Sequence, residues 1–110
     1  AQTRFVSWSM AKSVASTLVG FALADGRIAS LDDPLVKYLP RLADSGYRDN
    51  SIRDLINMTS GVKFVEDYAA IDSLEGRAWV EGTVNRSVPS YADTVLWFRE
   101  RLHPPGARFY

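Results

Sequence analysis

Trp8-Ser9-Met10-Ala11-Lys12-Ser13 is the stretch from which the rest of the chain is best understood. It opens a long run of apolar and small residues, and it sets a hydroxyl and an amine three positions apart. On a helix such positions are neighbours on one face, with Cβ atoms ~5–6 Å apart. Ser9 at a helix start also lies where unpaired backbone N–H groups and the positive end of the dipole gather. A serine there can act as a nucleophile, because both its alkoxide and the oxyanion it creates are stabilised. Lys12 can take the serine proton if burial disfavours its ammonium form. The pair is therefore a candidate for acyl transfer without histidine. The other reading is a polar first turn in which Ser9 caps the helix and Lys12 is solvated. Ser60-Gly61-Val62-Lys63 repeats the pattern, but it follows a Thr-Ser-Gly turn, so the one-face argument fails there.

Outward from this stretch the pattern is helical. From Ser9 to Ala24 a stripe of Val14, Leu18, Phe21 and Ala22 is widened by Ala11, Ala15 and Val19, which predicts a helix buried on nearly all sides. Asp25-Gly26 ends it, with Gly26 suited to a left-handed position. Asp32 or Asp33 before Pro34 predicts a short helix from Pro34 to Leu39, since proline and acids suit a first turn. That placement makes capping a better account of the two acids than paired acid–base carboxylates. Residues 40–50 read as a polar loop. Ser51 caps the next helix, with Asp54 in its first turn and Leu55, Ile56 and Met58 on its apolar face, before Thr59-Ser60-Gly61 closes it. Residues 62–70 read as an apolar loop tucked against something. Further helices are predicted over Ile71–Thr83 and over Tyr91–Leu102, the latter ended by His103-Pro104-Pro105-Gly106. His103 reads as a residue of that helix end rather than a catalytic base. Arg108-Phe109-Tyr110 looks like the opening of a strand.

The totals narrow the function classes. A chain of 110 residues with 46% hydrophobic content is one small domain or part of a larger one, with the apolar fraction of a globular protein rather than a disordered one. Acidic and basic residues number 13 each, which offers no broad attraction to nucleic acid or anionic membrane. Trp8, Trp79 and Trp97 show no stacking pattern for nucleic acid. There is no cysteine and a single histidine, so thiolate and multi-imidazole metal sites are excluded. No apolar run reaches membrane-spanning length. Ala1–Val6 does not read as a signal peptide, and there is no initiator methionine, so the chain reads as part of a longer gene product. Where the protein acts, and whether it is oligomeric, are not set by these features.

Several stretches together resemble the serine β-lactamase and penicillin-binding-protein superfamily, in its class C and esterase-like branch. Ser9-Met10-Ala11-Lys12-Ser13 is similar to that family's first motif. Asp25-Gly26-Arg27-Ile28, Leu31-Asp32-Asp33-Pro34 and Tyr38-Leu39-Pro40 resemble the segment that follows it. Ile52-Arg53-Asp54-Leu55-Ile56-Asn57-Met58-Thr59-Ser60-Gly61-Val62 resembles the family's stretch ending in Thr-Ser-Gly, and Pro105-Gly106-Ala107-Arg108-Phe109 resembles the turn leading to its catalytic tyrosine. Order and spacing agree across nearly the whole chain. Val62–Tyr68 is most similar to the 6-aminohexanoate-dimer hydrolase-like branch.

The resemblance implies that Ser9 is the acylated nucleophile and Lys12 its proton acceptor or relay. It places Tyr68 on the substrate cleft, with packing on the loop's own apolar groups as the alternative. The family's tyrosine would fall one residue past Tyr110; Tyr110 itself takes that place only if the turn is one residue shorter. The Lys-Thr-Gly or His-x-Gly strand motif has no counterpart, so half of the oxyanion hole is lacking. The implied fold is mostly α as supplied: the nucleophile helix and helical subdomain of an α/β (α+β) β-lactamase-like domain over residues 1–110, with the central sheet largely missing. The implied substrate is a small ester, amide or β-lactam, with no metal and no organic cofactor. A catalytically inactive penicillin-binding-protein-like binding module is the alternative, and little activity is expected of this stretch alone.

Overall fold

The structure, a computed structural model, describes residues 3, 7–67, 69–85 and 87–109. The chain divides into two compact units, Ala1–Asp33 and Pro34–Tyr110. Among the described residues there are helices and turns but no named strand, and no helix is long and apolar enough to cross a membrane.

The first unit is built on helix α1, Met10–Ala24. Its end follows from Gly26, whose φ of 69° lets the chain reverse. The Gly26 N–H donates to the Leu23 carbonyl (3.1 Å) and the Arg27 N–H to the Ala22 carbonyl (2.8 Å), the paired bonds of a Schellman ending. Burial is where the expectation fails. No residue of α1 is buried, and Val14, Leu18 and Phe21 remain 62%, 61% and 62% exposed. The physical reason is that a helix buries its apolar stripe only against a second element, and α1 is the only helix of its unit among the described residues. Asp33 is also used differently from the cap expected of it. Its Oδ2 accepts from the Ser30 N–H (3.2 Å), closing a turn before Pro34.

The second unit carries α2 (Leu35–Tyr38), α3 (Ile52–Ile56) and α4 (Leu74–Trp79). The stretch expected as a polar loop begins with a 3₁₀ turn over Pro40–Asp44, which buries Leu42. Helix α3 starts as its residues require: Ser51 Oγ accepts from the Asp54 N–H (3.1 Å), and Asp54 Oδ2 accepts from the Ser51 N–H (2.8 Å). Helix α4 begins three residues later than expected, because Ser73 Oγ accepts from the Gly76 N–H (3.0 Å) and fixes the start there. It runs on into a π-helical turn over Val80–Val84.

The expected helix Tyr91–Leu102 is a 3₁₀ stretch that stops at Trp97. Beyond it Phe98 is buried with Val62 and Ala78, flanked by Tyr47 and Trp97. The backbone that follows then pairs with the Thr-Ser-Gly turn instead of coiling. Lys63 N–H donates to the Glu100 carbonyl (2.9 Å), Leu102 N–H to the Gly61 carbonyl (2.8 Å), and Val62 faces Arg101 across an antiparallel bridge. His103 therefore lies in this paired segment rather than at a helix end; its N–H donates to the Gly61 carbonyl (3.3 Å). Of the 62–70 loop expected to tuck in, Val62 is buried, but Phe64 and Val65 stay 37% and 49% exposed, Phe64 touching the core only through its ring, 5.4 Å from that of Phe98. Arg108 and Phe109 form no strand, and Tyr110 lies outside the described residues.

Asn50 joins these pieces. It is fully buried, its Nδ2 donates to the Ser60 carbonyl (3.1 Å), and its Oδ1 accepts from the Arg101 guanidinium (3.4 Å). Its own carbonyl accepts the Leu35 N–H (2.8 Å) at the start of α2. Asn50→Ala removes the partner of the Ser60 carbonyl and one partner of the Arg101 guanidinium, which keeps the Gly46 carbonyl and Asp49, and is expected to destabilise the unit by about 1–3 kcal/mol in urea titrations. An unchanged midpoint would show that water replaces the amide without loss. At the surface, the Ser90 hydroxyl and then the Arg41 guanidinium hold the Asp93 carboxyl below the usual carboxylate range, tying the 3₁₀ stretch to the turn over Pro40–Asp44.

Candidate active site

Ser9 and Lys12 lie within one turn at the N-terminal end of α1. Lys12 Nζ donates to Ser9 Oγ at 2.8 Å. Ser9 occupies the N-cap position, yet its backbone is helical (φ −64°, ψ −13°) and its hydroxyl caps nothing. The capping alternative therefore does not describe this serine; its oxygen is engaged by the amine. Its carbonyl accepts the Lys12 N–H (3.0 Å), so the backbone fixes the spacing that brings the two side chains together.

Two further features surround Ser9. Trp8 precedes it in a left-handed conformation, φ 47°. Among the described residues no acceptor takes the Ser9 N–H, leaving a backbone donor beside the hydroxyl. The expectation that Lys12 is desolvated is not met within this chain, because the whole first turn of α1 is exposed. The cause is the one that leaves Val14 and Phe21 exposed: the helix has no neighbouring element in its unit.

The second Ser-x-x-Lys is excluded by its contacts. Ser60 Oγ accepts from the Val62 N–H (3.3 Å), and Lys63 Nζ is paired with Glu100 (2.9 Å). Hydroxyl and amine have separate partners, so no proton can pass between them directly. Tyr68, expected on the substrate cleft, lies outside the described residues. In the second unit a polar cleft of about 470 Å³ is lined by Asp44, Arg48, Asp49, Arg99 and Arg101 among others. Asp49 lies close to both Arg48 (3.3 Å) and Arg101 (3.8 Å), so much of the cleft's charge is already paired. Among the described residues no group of three or more His, Cys, Asp or Glu side chains could hold a metal ion.

Sequence reasoning singled out Ser9 and Lys12 but not Trp8. A positive φ at tryptophan leaves no signal in a sequence, because the residue type argues against it.

The profile of the Beta-lactamase family matches residues 1–110. Over 65 residues the chain is 34% identical to the 6-aminohexanoate-dimer hydrolase of Paenarthrobacter ureafaciens; the matched stretch is 59% of this chain and 16% of that enzyme.

Proposed function

The chain belongs to the Beta-lactamase family, within the serine β-lactamase-like superfamily, and from that premise we propose that it carries the nucleophile of a serine hydrolase for small esters or amides, β-lactams included. Family and relative both support a hydrolase. The finer reading, an acyl-enzyme on Ser9, is carried by one observation: the 2.8 Å contact between Lys12 Nζ and Ser9 Oγ.

The chemistry runs as follows. An uncharged Lys12 amine accepts the hydroxyl proton as Ser9 Oγ bonds to the substrate's acyl carbon. The Ser9 N–H donates to the oxygen that gains charge. The bond to the leaving alcohol or amine breaks as that group takes up the proton, and water then cleaves the ester on Ser9. For this the amine must be shielded from water. The proposal therefore includes that α1 is covered in a longer enzyme, of which this chain is one part. The exposed stripe Val14, Leu18 and Phe21 supports that, as does a matched stretch equal to 16% of the relative's length. Residues beyond Tyr110, a tyrosine among them, would complete proton handling. The relative's name states action on a 6-aminohexanoate dimer; for this chain we carry over only the class of small amides and esters, with Tyr68 proposed on the cleft by resemblance.

The exposure of Lys12 favours a second reading, a catalytically inactive module that binds through the same cleft. A fluorophosphonate probe separates the two. In the complete gene product it is expected to add its mass at Ser9 and to leave Ser60 unmodified. Label elsewhere with Ser9 untouched would overturn the assignment, and no label at all would favour the binding module.

A further inference from the structure

Resting on the hydrolase reading above, we propose that Trp8 is a positioning residue for Ser9 that acts through its left-handed backbone and not through its indole. Four observations meet here. Trp8 has φ 47°, a region open to glycine and tolerated by asparagine or aspartate but resisted by a bulky side chain such as tryptophan. The Met10 N–H donates to the Ser7 carbonyl (3.2 Å), closing a tight turn with Trp8 and Ser9 at its centre. The Trp8 carbonyl already accepts the Ala11 N–H (3.1 Å), so the helix begins directly from that turn. Trp8 is itself 73% exposed.

These fit together as one device. With an ordinary negative φ at residue 8, the helix would continue backwards through Ser9, and the Ser9 N–H would be drawn toward a preceding carbonyl. The left-handed residue breaks that continuation. Ser9 is left at the mouth of α1, its N–H without an acceptor among the described residues and its Oγ in contact with Lys12 Nζ. Within this chain the exposed indole contributes little to holding this backbone. The turn's own hydrogen bonds hold it, in a conformation that glycine would adopt freely. Strained backbone of this kind is found where a site is pre-organised.

The residue type therefore matters in an unusual order. Glycine and asparagine, which accept positive φ, are expected to preserve the site, whereas the β-branched valine resists it. The test measures covalent inactivation of the complete gene product by a fluorophosphonate, resolving the maximal inactivation rate from the half-saturating probe concentration. Trp8→Gly and Trp8→Asn are expected to label Ser9 within about threefold of wild type. Trp8→Val is expected to lose on the order of 10- to 100-fold in the maximal rate, with the half-saturating concentration unchanged and a cooperative melt retained. A purely structural role would lower the melting temperature of Trp8→Val and leave its rate intact below the melt. That result overturns the proposal, as does an equal loss in Trp8→Gly and Trp8→Val, which would assign the effect to the indole. Should Trp8→Val fail to fold, the β-branched Trp8→Thr carries the same comparison. A wild-type protein that takes no label at Ser9 overturns the hydrolase reading itself, a result distinct from either.

Discussion

Gly61→Ala is expected to destabilise the second unit by more than about 3 kcal/mol, enough to abolish its cooperative unfolding in urea if the unit is marginally stable. Gly61 has φ 69°, and a Cβ added there would sit 2.1 Å from the His103 carbonyl oxygen and 2.8 Å from its carbon. Both obstacles are backbone, so no side-chain rotation relieves them. Nor can the two segments simply part. The Gly61 carbonyl holds the Leu102 and His103 N–H groups, and Val62, the next residue, is a core residue beside Ala78 and Phe98. Moving one segment breaks either the pairing or the packing. Gly20→Ala is the comparison: nothing lies within 4 Å of its added Cβ, and helix propensity there favours alanine by about 1 kcal/mol. The first variant should lose its transition while the second gains helical signal by circular dichroism. A wild-type urea midpoint for Gly61→Ala would mean that residues 61–63 and 100–103 do not pair as described.

The contrast between those two glycines also shows where the sequence could be read and where it could not. Features made within one turn were legible. The Ser51–Asp54 cap, the Gly26 reversal and the Ser9–Lys12 contact each depend on residues three to five positions apart, and local spacing is enough to place them. Features that depend on distant partners were not. Val95, Leu96, Phe98 and Leu102 suit a helix stripe, but Phe98 is claimed by the core and Arg101 by a bridge to Val62. Ser60 and Lys63 matched the same spacing as Ser9 and Lys12; the local turn set them apart, but the pairing of Lys63 with Glu100, far along the chain, had no local signal. Asn50 reads as an ordinary loop residue, since nothing in its neighbours announces a buried amide that binds Ser60 and Arg101. The α1 stripe was legible as apolar, yet apolarity states a need for a partner and does not supply one. The family's motifs were legible because each is a short local pattern and their order adds up along the chain.

Lys12→Met is expected to lower acylation of Ser9 in the complete gene product by roughly 100- to 10,000-fold, the range lost when a positioned base is removed. Methionine keeps an unbranched side chain and its helix propensity, so α1 should persist and the melt should barely move. What disappears is the nitrogen 2.8 Å from Ser9 Oγ. Lys12→Arg is the sharper variant. It restores a donor and a positive charge at the same place, but a guanidinium keeps its proton and cannot receive one from the serine. If Lys12 served only to hold Ser9 by a hydrogen bond, or to attract an anionic probe, arginine would recover much of the rate. If Lys12 accepts the proton, arginine should fare no better than methionine. The Ser9 oxygen attacks the probe's phosphorus and displaces fluoride, so the readout is the mass of the adduct on the peptide carrying Ser9, followed over time. Equal and slow labelling of both variants would support proton acceptance. Wild-type labelling in Lys12→Met would make the contact incidental, and recovery in Lys12→Arg would reduce Lys12 to an electrostatic anchor for a nucleophile activated from elsewhere.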